Sequence, residues 1–241
     1  MPAELPADNS SSPARPATEA VARQRFEQIA AQAQELGFEF CTHGLRLPLP
    51  ITAPRTVFFS NYPAAWQARY QAQGYLEIDP TVAHGMRSAE PVLWSEALFQ
   101  AVPELWREAQ AHGVCHGWAQ SMRDPEGVFS MLVLARSGPA IMAEELIEKE
   151  ERMKWLVHRS HAWMRACASD IEAARTHEPL SDREVEVLRW SAEGKTSAEI
   201  AQILAISERT VNFHVNSAVA KLEANNKTSA VVRAAMLGLL W

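Results

Sequence analysis

Closely spaced helix starts in the last quarter of the chain place the tightest constraint on its fold. The segments SDRE (Ser181–Glu184) and TSAE (Thr196–Glu199) are capping boxes, in which a hydroxyl and a glutamate each satisfy a free backbone N–H at a helix start. Gly194 can end the first helix, and Ser207 can cap a third one after the turn AIS. A fourth helix is predicted over NNKTSAVVRAAMLGLL, so two short helices joined by a tight turn form a helix-turn-helix.

The third of these helices, ERTVNFHVNSAVAKL, has two different sides. Apolar residues recur along one side from Val211 to Leu222 and predict burial, while the opposite side is polar in its first two turns. A recognition helix that reads base edges near its N-terminus has this layout. A helical bundle used for protein contact would also produce it. The predicted DNA contacts are Lys195, Thr196, Arg209, Thr210, Asn212, Phe213, Asn216 and Lys221.

The charge balance limits how this unit can bind double-stranded DNA. The formal net charge of the chain is −6, which argues against indiscriminate nucleic-acid binding by the whole molecule. Residues 177–241 hold 7 Lys+Arg and 8 Asp+Glu, a net of −1, although residues 207–233 carry a local +2. One such unit should bind weakly through few phosphate contacts, so specific binding requires a dimer.

Residues 20–166 show a mixed pattern of helices and strands. The segments VCHGWAQSM and VFSMLVLARS flank the turn RDPEG and predict a hairpin, and the strand-like FEFCTHGLRL and RTVFFS precede it. We therefore predict an N-terminal α+β domain, an α-β-α sandwich around an antiparallel sheet, followed by an all-α four-helix domain over residues 179–241. Residues 1–19, rich in Pro, Ala and Ser, are predicted to be a disordered tail, and residues 167–178 a linker.

A long helix is predicted from Ile141 to about Ala174. Its stripe of Leu146, Met153, Val157, Met164, Cys167 and Ile171 is widened by Trp155, Leu156 and Trp163, so the helix is apolar on more than one side. Such a helix can pack on its own sheet and on a second copy of the chain. A helix wholly buried within its own domain would explain the pattern equally well.

The segment NYPAAWQARY carries an aromatic stripe that differs from an ordinary core. Tyr62, Trp66 and Tyr70 recur every four residues on one predicted helix face, and each ends in a hydrogen-bond donor. Asp79 follows in IDPT. Taken alone, the aromatics are typical of a core, and Asp79 before Pro80 is typical of a helix cap.

The sequence favours neither an enzyme nor a metal protein. Cys41, Cys115 and Cys167 are scattered without metal-ligand spacing and are interpreted as reduced cytosolic thiols. Cys115 and His116 are adjacent on a predicted strand and so point to opposite faces, which excludes a nucleophile–base pair. No Gly-rich phosphate loop is present, and no run of 18 apolar residues could span a membrane. His43, His84 and His112 are interpreted as structural or surface residues.

The C-terminal string from LSDREVEVLRW to TSAVVRAA resembles the DNA-binding domain of LuxR-type regulators. The N-terminal strings NYPAAWQARY, IDPTVAHG, VLWS and GVCHGWA resemble the autoinducer-binding domain of quorum-sensing receptors for N-acyl homoserine lactones. Within that family, HGWAQSMRDPEGVFSML and LIEKEE are most similar to orphan receptors, which lack their own synthase. The C-terminal residues at family positions are Glu184, Leu188, Gly194, Thr210, Val211, His214 and Val215.

The resemblance implies a role for each residue of the N-terminal stripe. Trp66 would donate to the lactone carbonyl and Tyr62 to the amide carbonyl, while an ionised Asp79 would accept from the amide N–H. Each polar group of a buried ligand needs such a partner, because an unpaired one costs about 1–3 kcal/mol. The apolar walls and hydroxyl rim would come from Tyr70, Trp94, Phe99 and Val114 and from Thr42 and Thr81.

One residue departs from the family pattern, and a bulky neighbour is expected beside the same pocket. Val133 occupies a position where the family usually has Ser or Thr, so a hydroxyl that helps bind the amide carbonyl is missing. That loss is worth roughly 0.5–1.5 kcal/mol, or up to about tenfold in affinity. Trp118, next to Gly117, is expected to lie beside the same pocket and to shorten or redirect the acyl channel.

The resemblance thus implies a cytoplasmic, ligand-responsive transcription factor that needs no cofactor. Its expected partners are an acyl homoserine lactone, a second copy of the chain, an imperfect DNA palindrome and RNA polymerase. An antagonist that forms mixed dimers and a receptor for a non-lactone ligand remain alternatives. A phosphorylation-controlled response regulator does not fit, because the N-terminal half lacks the clustered acids of a doubly wound domain.

Overall fold

The computed structural model describes residues 15–172 and 178–241. The N-terminal part contains helices α1 (Arg15–Glu35), α2 (Ala64–Ala72), α3 (Pro80–Gly85), α4 (Pro103–Ala111) and α5 (Ala143–Glu172). Its strands are β1 (Phe40–Arg46), β2 (Thr56–Ser60), β3 (Val92–Leu93), β4 (His116–Arg123) and β5 (Phe129–Arg136), and a 3-10 helix spans Tyr75–Glu77. The C-terminal part contains α6 (Asp182–Ala192), α7 (Ser197–Leu204), α8 (Glu208–Lys221) and α9 (Lys227–Met236).

The five strands form one antiparallel sheet in the order β2-β1-β5-β4-β3. Side chains alternate between its faces. One face packs against α1 and α5 through residues such as Ile29, Leu134 and Leu156. The other face lies under α2 and α4, where Trp66, Leu105 and Ala135 share a second cluster. The predicted α-β-α sandwich and the hairpin around RDPEG are therefore confirmed.

The caps predicted for the C-terminal helices are confirmed. Ser181 and Glu184 form one complete capping box and Thr196 and Glu199 another. Ser207 accepts a hydrogen bond from the Thr210 backbone N–H at the start of α8. Each cap satisfies N–H groups that a helix start otherwise leaves unpaired. These short helices consequently start where the sequence indicates.

Two helices extend into segments that the sequence assigns to the tail and the linker. Helix α1 begins at Arg15, inside the predicted tail, and residues 1–14 lie outside the described part. Helix α5 ends at Glu172, close to its predicted end near Ala174, and covers half of the predicted linker, because the segment ASDIE contains neither Pro nor Gly to stop it. Residues 173–177, and the side chains of Cys167 and Ile171, lie outside the described residues.

The long helix α5 presents apolar side chains on two sides. Met153, Leu156 and Val157 are buried in the core shared with α1 and the sheet. Ile147 and Trp155 are exposed at 84% and 53% of their surface. The alternative of a helix wholly buried in its own domain is therefore wrong for the described residues. Across the two described ranges, no helix is long and apolar enough to cross a bilayer.

Candidate functional site

An aromatic cluster fills the space between the sheet and helices α2 and α4. The Trp66 ring is buried at its centre, with ring centroids 5.7 Å from Tyr70 and 6.0 Å from Tyr75. Phe99 and Val114 are buried in the same cluster, and Tyr62 and Trp94 pack against it. The structure thus brings together six of the residues predicted from the sequence to bind ligand.

Tyr62 reaches the cluster from a different position than its spacing predicts. Helix α2 begins at Ala64, so Tyr62 lies in the segment before it and not on the helix face of Trp66 and Tyr70. Its ring packs edge-on against Phe40 at 5.8 Å. Asn61 fixes this segment to the start of β1, because its side chain accepts from the Cys41 N–H at 2.6 Å and donates to the Glu39 carbonyl at 3.0 Å.

Asp79 caps α3 and also faces the aromatic cluster. Its Oδ1 accepts from the backbone N–H and the hydroxyl of Thr81, at 2.8 and 2.6 Å. Its Oδ2 accepts from the Tyr70 hydroxyl at 2.9 Å. Asp79 can therefore act both as a helix cap and as a ligand contact. Its Oδ2 accepts the bond from Tyr70 and retains a lone pair for a second donor.

Burial raises the pKa of Asp79 above its ordinary value, and the hydrogen bonds from Thr81 and Tyr70 oppose that rise. Burial likewise raises the pKa values of the Tyr62 and Tyr70 hydroxyls. Both phenols therefore keep their protons and remain donors. The cluster combines neutral donors with one strong acceptor, which suits a ligand that carries carbonyl oxygens and an N–H or O–H.

Thr42 and Val133 face this site from the sheet. Thr42 pairs with Val133 on β5 and with Ser60 on β2, so all three lie in one row. The Thr42 and Ser60 hydroxyls are 2.7 Å apart. Ser60 was not predicted, because only the strand register places it opposite Thr42. Trp106 was also not predicted to belong to this site. Its ring lies 4.5 Å from that of Phe99, a contact that its helical spacing does not indicate.

Trp94 lies over the backbone of Gly117. A Cβ atom on Gly117 would overlap the Trp94 ring, so glycine is the residue that lets the indole reach the sheet. The indole nitrogen of Trp94 is buried without a hydrogen-bond partner among the described residues.

The prediction that Trp118 lies beside the pocket is wrong. Gly117 and Ala119 face the aromatic side of the sheet, so alternation turns Trp118 to the other side. There it is 1% exposed, within the core formed by α1, α5 and the sheet. It therefore cannot restrict an acyl channel on the aromatic side. Val133 does face that side, where it packs against the cluster formed by Ala119, Phe129 and Met131.

No cluster of metal-ligating residues occurs within residues 15–172 and 178–241. The three histidines interpreted as structural or surface residues differ in environment. His43 is fully buried, and burial lowers its pKa to about 3. His84 contacts the Glu90 carbonyl at 2.9 Å, and the His112 ring packs 5.4 Å from Trp66.

The polar side of α8 forms a second candidate surface. Val211, Val215 and Ala218 are buried, as predicted from the sequence. Arg209, Asn212, Phe213 and Asn216 are exposed on the other side, and Phe213 exposes 67% of its surface. Asn212 Oδ1 accepts from the Ser197 hydroxyl at 2.8 Å, which ties the start of α7 to this surface.

The other predicted DNA contacts have additional partners within the domain. Thr196 caps α7, Thr210 bonds to Ser207, and Lys195 lies 3.7 Å from Glu199. The placement of Lys221 is at odds with its prediction. Its ammonium group lies 3.0 Å from Glu184 and 3.1 Å from the Pro179 carbonyl, so it is directed into the domain rather than toward a phosphate.

Comparisons with known proteins agree with this arrangement. Residues 22–164 match the autoinducer binding domain, and residues 178–234 match the bacterial regulatory proteins of the luxR family. The chain belongs to the LuxR family. Among its relatives, it is 46% identical to the transcriptional activator protein AnoR of Acinetobacter nosocomialis, over 89% of this chain and 91% of that protein.

Two solved structures resemble this LuxR-family chain over nearly its whole length. The crystal structure of Escherichia coli SdiA matches with a TM-score of 0.77 and 38% identity, over 91% of this chain and 92% of that one. SdiA in complex with octanoyl-rac-glycerol matches with a TM-score of 0.76 and 36% identity, over 96% and 98%. The relatives are transcriptional regulators rather than enzymes. This chain accordingly combines an autoinducer-binding domain with a helix-turn-helix DNA-binding domain.

Proposed function

We propose that this LuxR-family regulator is a quorum-sensing receptor that binds an N-acyl homoserine lactone on the aromatic side of its sheet. Asp79 carries the proposal. A carboxylate buried among neutral donors suits a ligand that brings an N–H, and its bonds to Thr81 and Tyr70 orient it toward the cluster. Trp66 and Tyr62 would supply the donors for the lactone and amide carbonyls. Tyr70, Trp94, Phe99 and Val114 would surround the ligand, with Thr42, Thr81 and Val133 at its edge.

The liganded receptor is proposed to act as a homodimer. The exposed Trp155 and Ile147 lie along one side of α5, and an apolar side of this kind favours burial against a second copy. The Arg159 guanidinium lies 4.7 Å from the Trp155 ring and 4.1 Å from the Trp163 ring, which orders this side before association. Two recognition helices then reach successive major grooves of an imperfect palindrome.

DNA contact is proposed through α8 and the residues near the start of α7. Arg209, Asn212, Phe213 and Asn216 would face the major groove, with Lys195, Thr196 and Thr210 beside the backbone. The few basic groups on this surface predict weak binding by one domain and a strong dependence on dimerisation. RNA polymerase is the proposed downstream partner. If the protein instead acts through mixed dimers with another receptor, its folded homodimer should fail to shift any operator-like DNA.

A monoacylglycerol is a second candidate ligand. The related SdiA structure contains octanoyl-rac-glycerol, which has an ester carbonyl and hydroxyl groups but no amide. Asp79 could accept from a glycerol hydroxyl in place of the amide N–H, while Tyr62 and Trp66 donate to oxygens. The shared site thus suits an acyl chain attached to a compact polar head.

Calorimetric titration of the full chain tests the proposal. We expect saturable, one-to-one binding of lactones of one acyl-length class, weaker binding of 1-octanoylglycerol, and loss of lactone binding in Asp79→Ala. Tighter binding of the glycerol ester than of any lactone would favour the second candidate. Folded protein that binds neither would contradict both.

A further inference from the structure

A carboxylate on α4 joins three elements at the border of the aromatic cluster. Glu108 Oε2 accepts from Arg69 Nε on α2 and from the Tyr75 hydroxyl in the 3-10 helix, each at 2.8 Å. Glu108 Oε1 accepts from Arg69 Nη2 at 2.6 Å, so the guanidinium holds the carboxylate through two bonds at once. The bonds from Arg69 and Tyr75 lower the pKa of Glu108 to about 2, and the group is therefore charged at neutral pH. Glu108 thus ties α2 and the 3-10 helix to α4.

The contacts of Glu108 continue to the Trp66 ring. The Tyr75 ring lies 6.0 Å from that of Trp66 and 5.9 Å from that of Tyr70. His112, at the end of α4, places its ring 5.4 Å from that of Trp66, and its Nδ1 lies 2.7 Å from the Glu108 carbonyl oxygen. A carbonyl can only accept, so Nδ1 carries the hydrogen of this bond. Glu108 therefore holds two of the rings that contact Trp66, one through its side chain and one through its backbone.

The Tyr75 hydroxyl distinguishes this ion pair from an ordinary surface pair. The Arg69 side chain is exposed and that of Glu108 is partly exposed, and pairs of this kind contribute little to folding stability. The Tyr75 side chain, by contrast, is buried within the aromatic cluster. Its bond to Glu108 therefore fixes the position of a ring that the ligand site contains.

The direction of the Trp66 N–H depends on such ring contacts. An indole has one N–H, which can only donate. A hydrogen bond weakens steeply as its angle departs from linearity, so a small tilt of the indole weakens its bond to a fixed acceptor. Trp66 is buried in a closely packed cluster, and its tilt consequently follows the positions of the neighbouring rings.

We propose that Glu108 is a positioning residue for the ligand head group: by fixing the Tyr75 ring, it holds the Trp66 indole at the angle at which its N–H donates to the lactone carbonyl. The inference rests on the proposed function, because it assumes a lactone in this site. Arg69 contributes by fixing the plane of the Glu108 carboxylate. The effect of Glu108 should be confined to ligands that carry the lactone carbonyl.

Calorimetric titration of the full chain with two matched ligands tests this role. The first is the N-acyl homoserine lactone of the acyl length that wild type binds most tightly, and the second is the N-cyclopentyl amide of the same acyl chain. This amide keeps the chain, the amide group and a five-membered ring but lacks the lactone carbonyl. We expect Glu108→Ala and Tyr75→Phe each to weaken lactone binding by about three- to tenfold and to change amide binding little. Glu108→Gln, which keeps one acceptor oxygen, should fall between Glu108→Ala and wild type.

Two further variants make the test specific. Glu104 also lies on α4 and pairs with Arg107 at 2.6 Å, but both side chains are exposed, so Glu104→Ala should bind both ligands like wild type. Combined with Trp66→Phe, Glu108→Ala should weaken lactone binding little further, because the donor that it positions is gone. Equal losses for the lactone and the amide would indicate a merely structural contact and overturn the role of Glu108. Independent addition of the Trp66 and Glu108 effects would overturn it as well.

Failure of this inference can be distinguished from failure of the proposed function. A wild type that binds lactone, with unchanged affinity in folded Glu108→Ala and Tyr75→Phe, would overturn only the role of Glu108. The same holds for a wild type that binds the cyclopentyl amide as tightly as the lactone, because the lactone carbonyl would then have no effective donor. A folded wild type that binds no lactone of any acyl length would overturn both.

Discussion

The Tyr70 hydroxyl donates to Oδ2 of Asp79 at 2.9 Å, while Oδ1 of the same carboxylate caps α3. One acid therefore joins the aromatic helix α2 to the start of α3. A ligand N–H that binds Asp79 would add a further donor to a group already oriented by two elements. This arrangement reduces the ordering that binding requires.

Substitution of Asp79 should separate its structural role from its ligand role. Asp79→Asn keeps an oxygen that can cap α3 but removes the charge, so we expect at least a tenfold loss of lactone affinity with a small change in unliganded melting temperature. Tyr70→Phe removes one bond to the carboxylate and should cost up to about tenfold. Calorimetry measures both. Lactone affinity equal to wild type in Asp79→Asn would refute the assignment.

Lactone affinity should fall on acidification. The pKa of Asp79 is raised, so the carboxylate gains a proton at a higher pH than an ordinary aspartate does, and protonation weakens its acceptor role. The stability of the ligand-free protein depends on pH in the opposite direction. A raised pKa in the folded state favours stability below the ordinary pKa, and this contribution is lost as pH rises through the raised value.

Parallel titrations and melts between mildly acidic and neutral pH check this prediction, with Asp79→Asn as the control that lacks the group. We expect the affinity of the wild type to decline toward low pH more steeply than that of the variant. Identical pH profiles for the two proteins would show that Asp79 does not titrate with binding.

Trp118 and Gly117 should behave in opposite ways although they are neighbours. Trp118→Ala empties a buried core position and should reduce the free energy of unfolding by about 3–5 kcal/mol. The milder Trp118→Phe should leave the preferred acyl length unchanged. Gly117→Ala displaces the Trp94 ring and should weaken lactone binding.

Urea unfolding measures the first effect, and titration with lactones of graded chain length measures the others. A changed acyl preference in Trp118→Phe would place that ring beside the ligand after all. Gly117→Ala with wild-type affinity would show that the position of Trp94 is unimportant for binding.

How far the sequence predicts the molecule depends on the range of the interactions involved. Caps such as Ser181–Glu184 act within one helical turn, so the helix starts are predictable from local residues. The prediction for Trp118 is wrong because adjacency to Gly117 in the sequence does not give proximity to the pocket: adjacent strand residues face opposite sides. Ser60 was missed because its contact with Thr42 depends on strand register.

Lys221 shows a further contact that the sequence does not predict. A lysine late in a recognition helix fits a phosphate contact, but Glu184, more than thirty residues earlier in the sequence, is buried beside it. Burial would raise the pKa of Glu184, yet hydrogen bonds from Ser217, the Ser181 N–H and Lys221 outweigh it and lower the pKa to about 2. The partner of a surface lysine is set by packing, which helical spacing does not reveal.

Asn216 and Lys221 should therefore differ when substituted. Asn216→Ala should weaken operator binding by about 1–3 kcal/mol without affecting lactone affinity. Lys221→Met leaves the Glu184 charge without its cation and should destabilise the C-terminal domain, and adding Glu184→Gln should restore part of that stability.

Gel shifts below the melting temperature and thermal melts separate these two effects. Folded Lys221→Met should bind operator DNA much as wild type does. A strong DNA-binding defect in a stable Lys221 variant would return that residue to the DNA surface, and normal binding by Asn216→Ala would remove Asn216 from it.

The most direct measurement of the receptor function is a thermal melt of the purified full chain against N-acyl homoserine lactones of graded acyl length. Ligand at a hundred times its dissociation constant should stabilise the folded state by about 2.7 kcal/mol. For a protein of this size, the melting temperature should rise by about 5–10 °C with one acyl-length class, and Asp79→Asn should lose that rise. A folded wild type whose melting temperature no lactone changes would contradict the account.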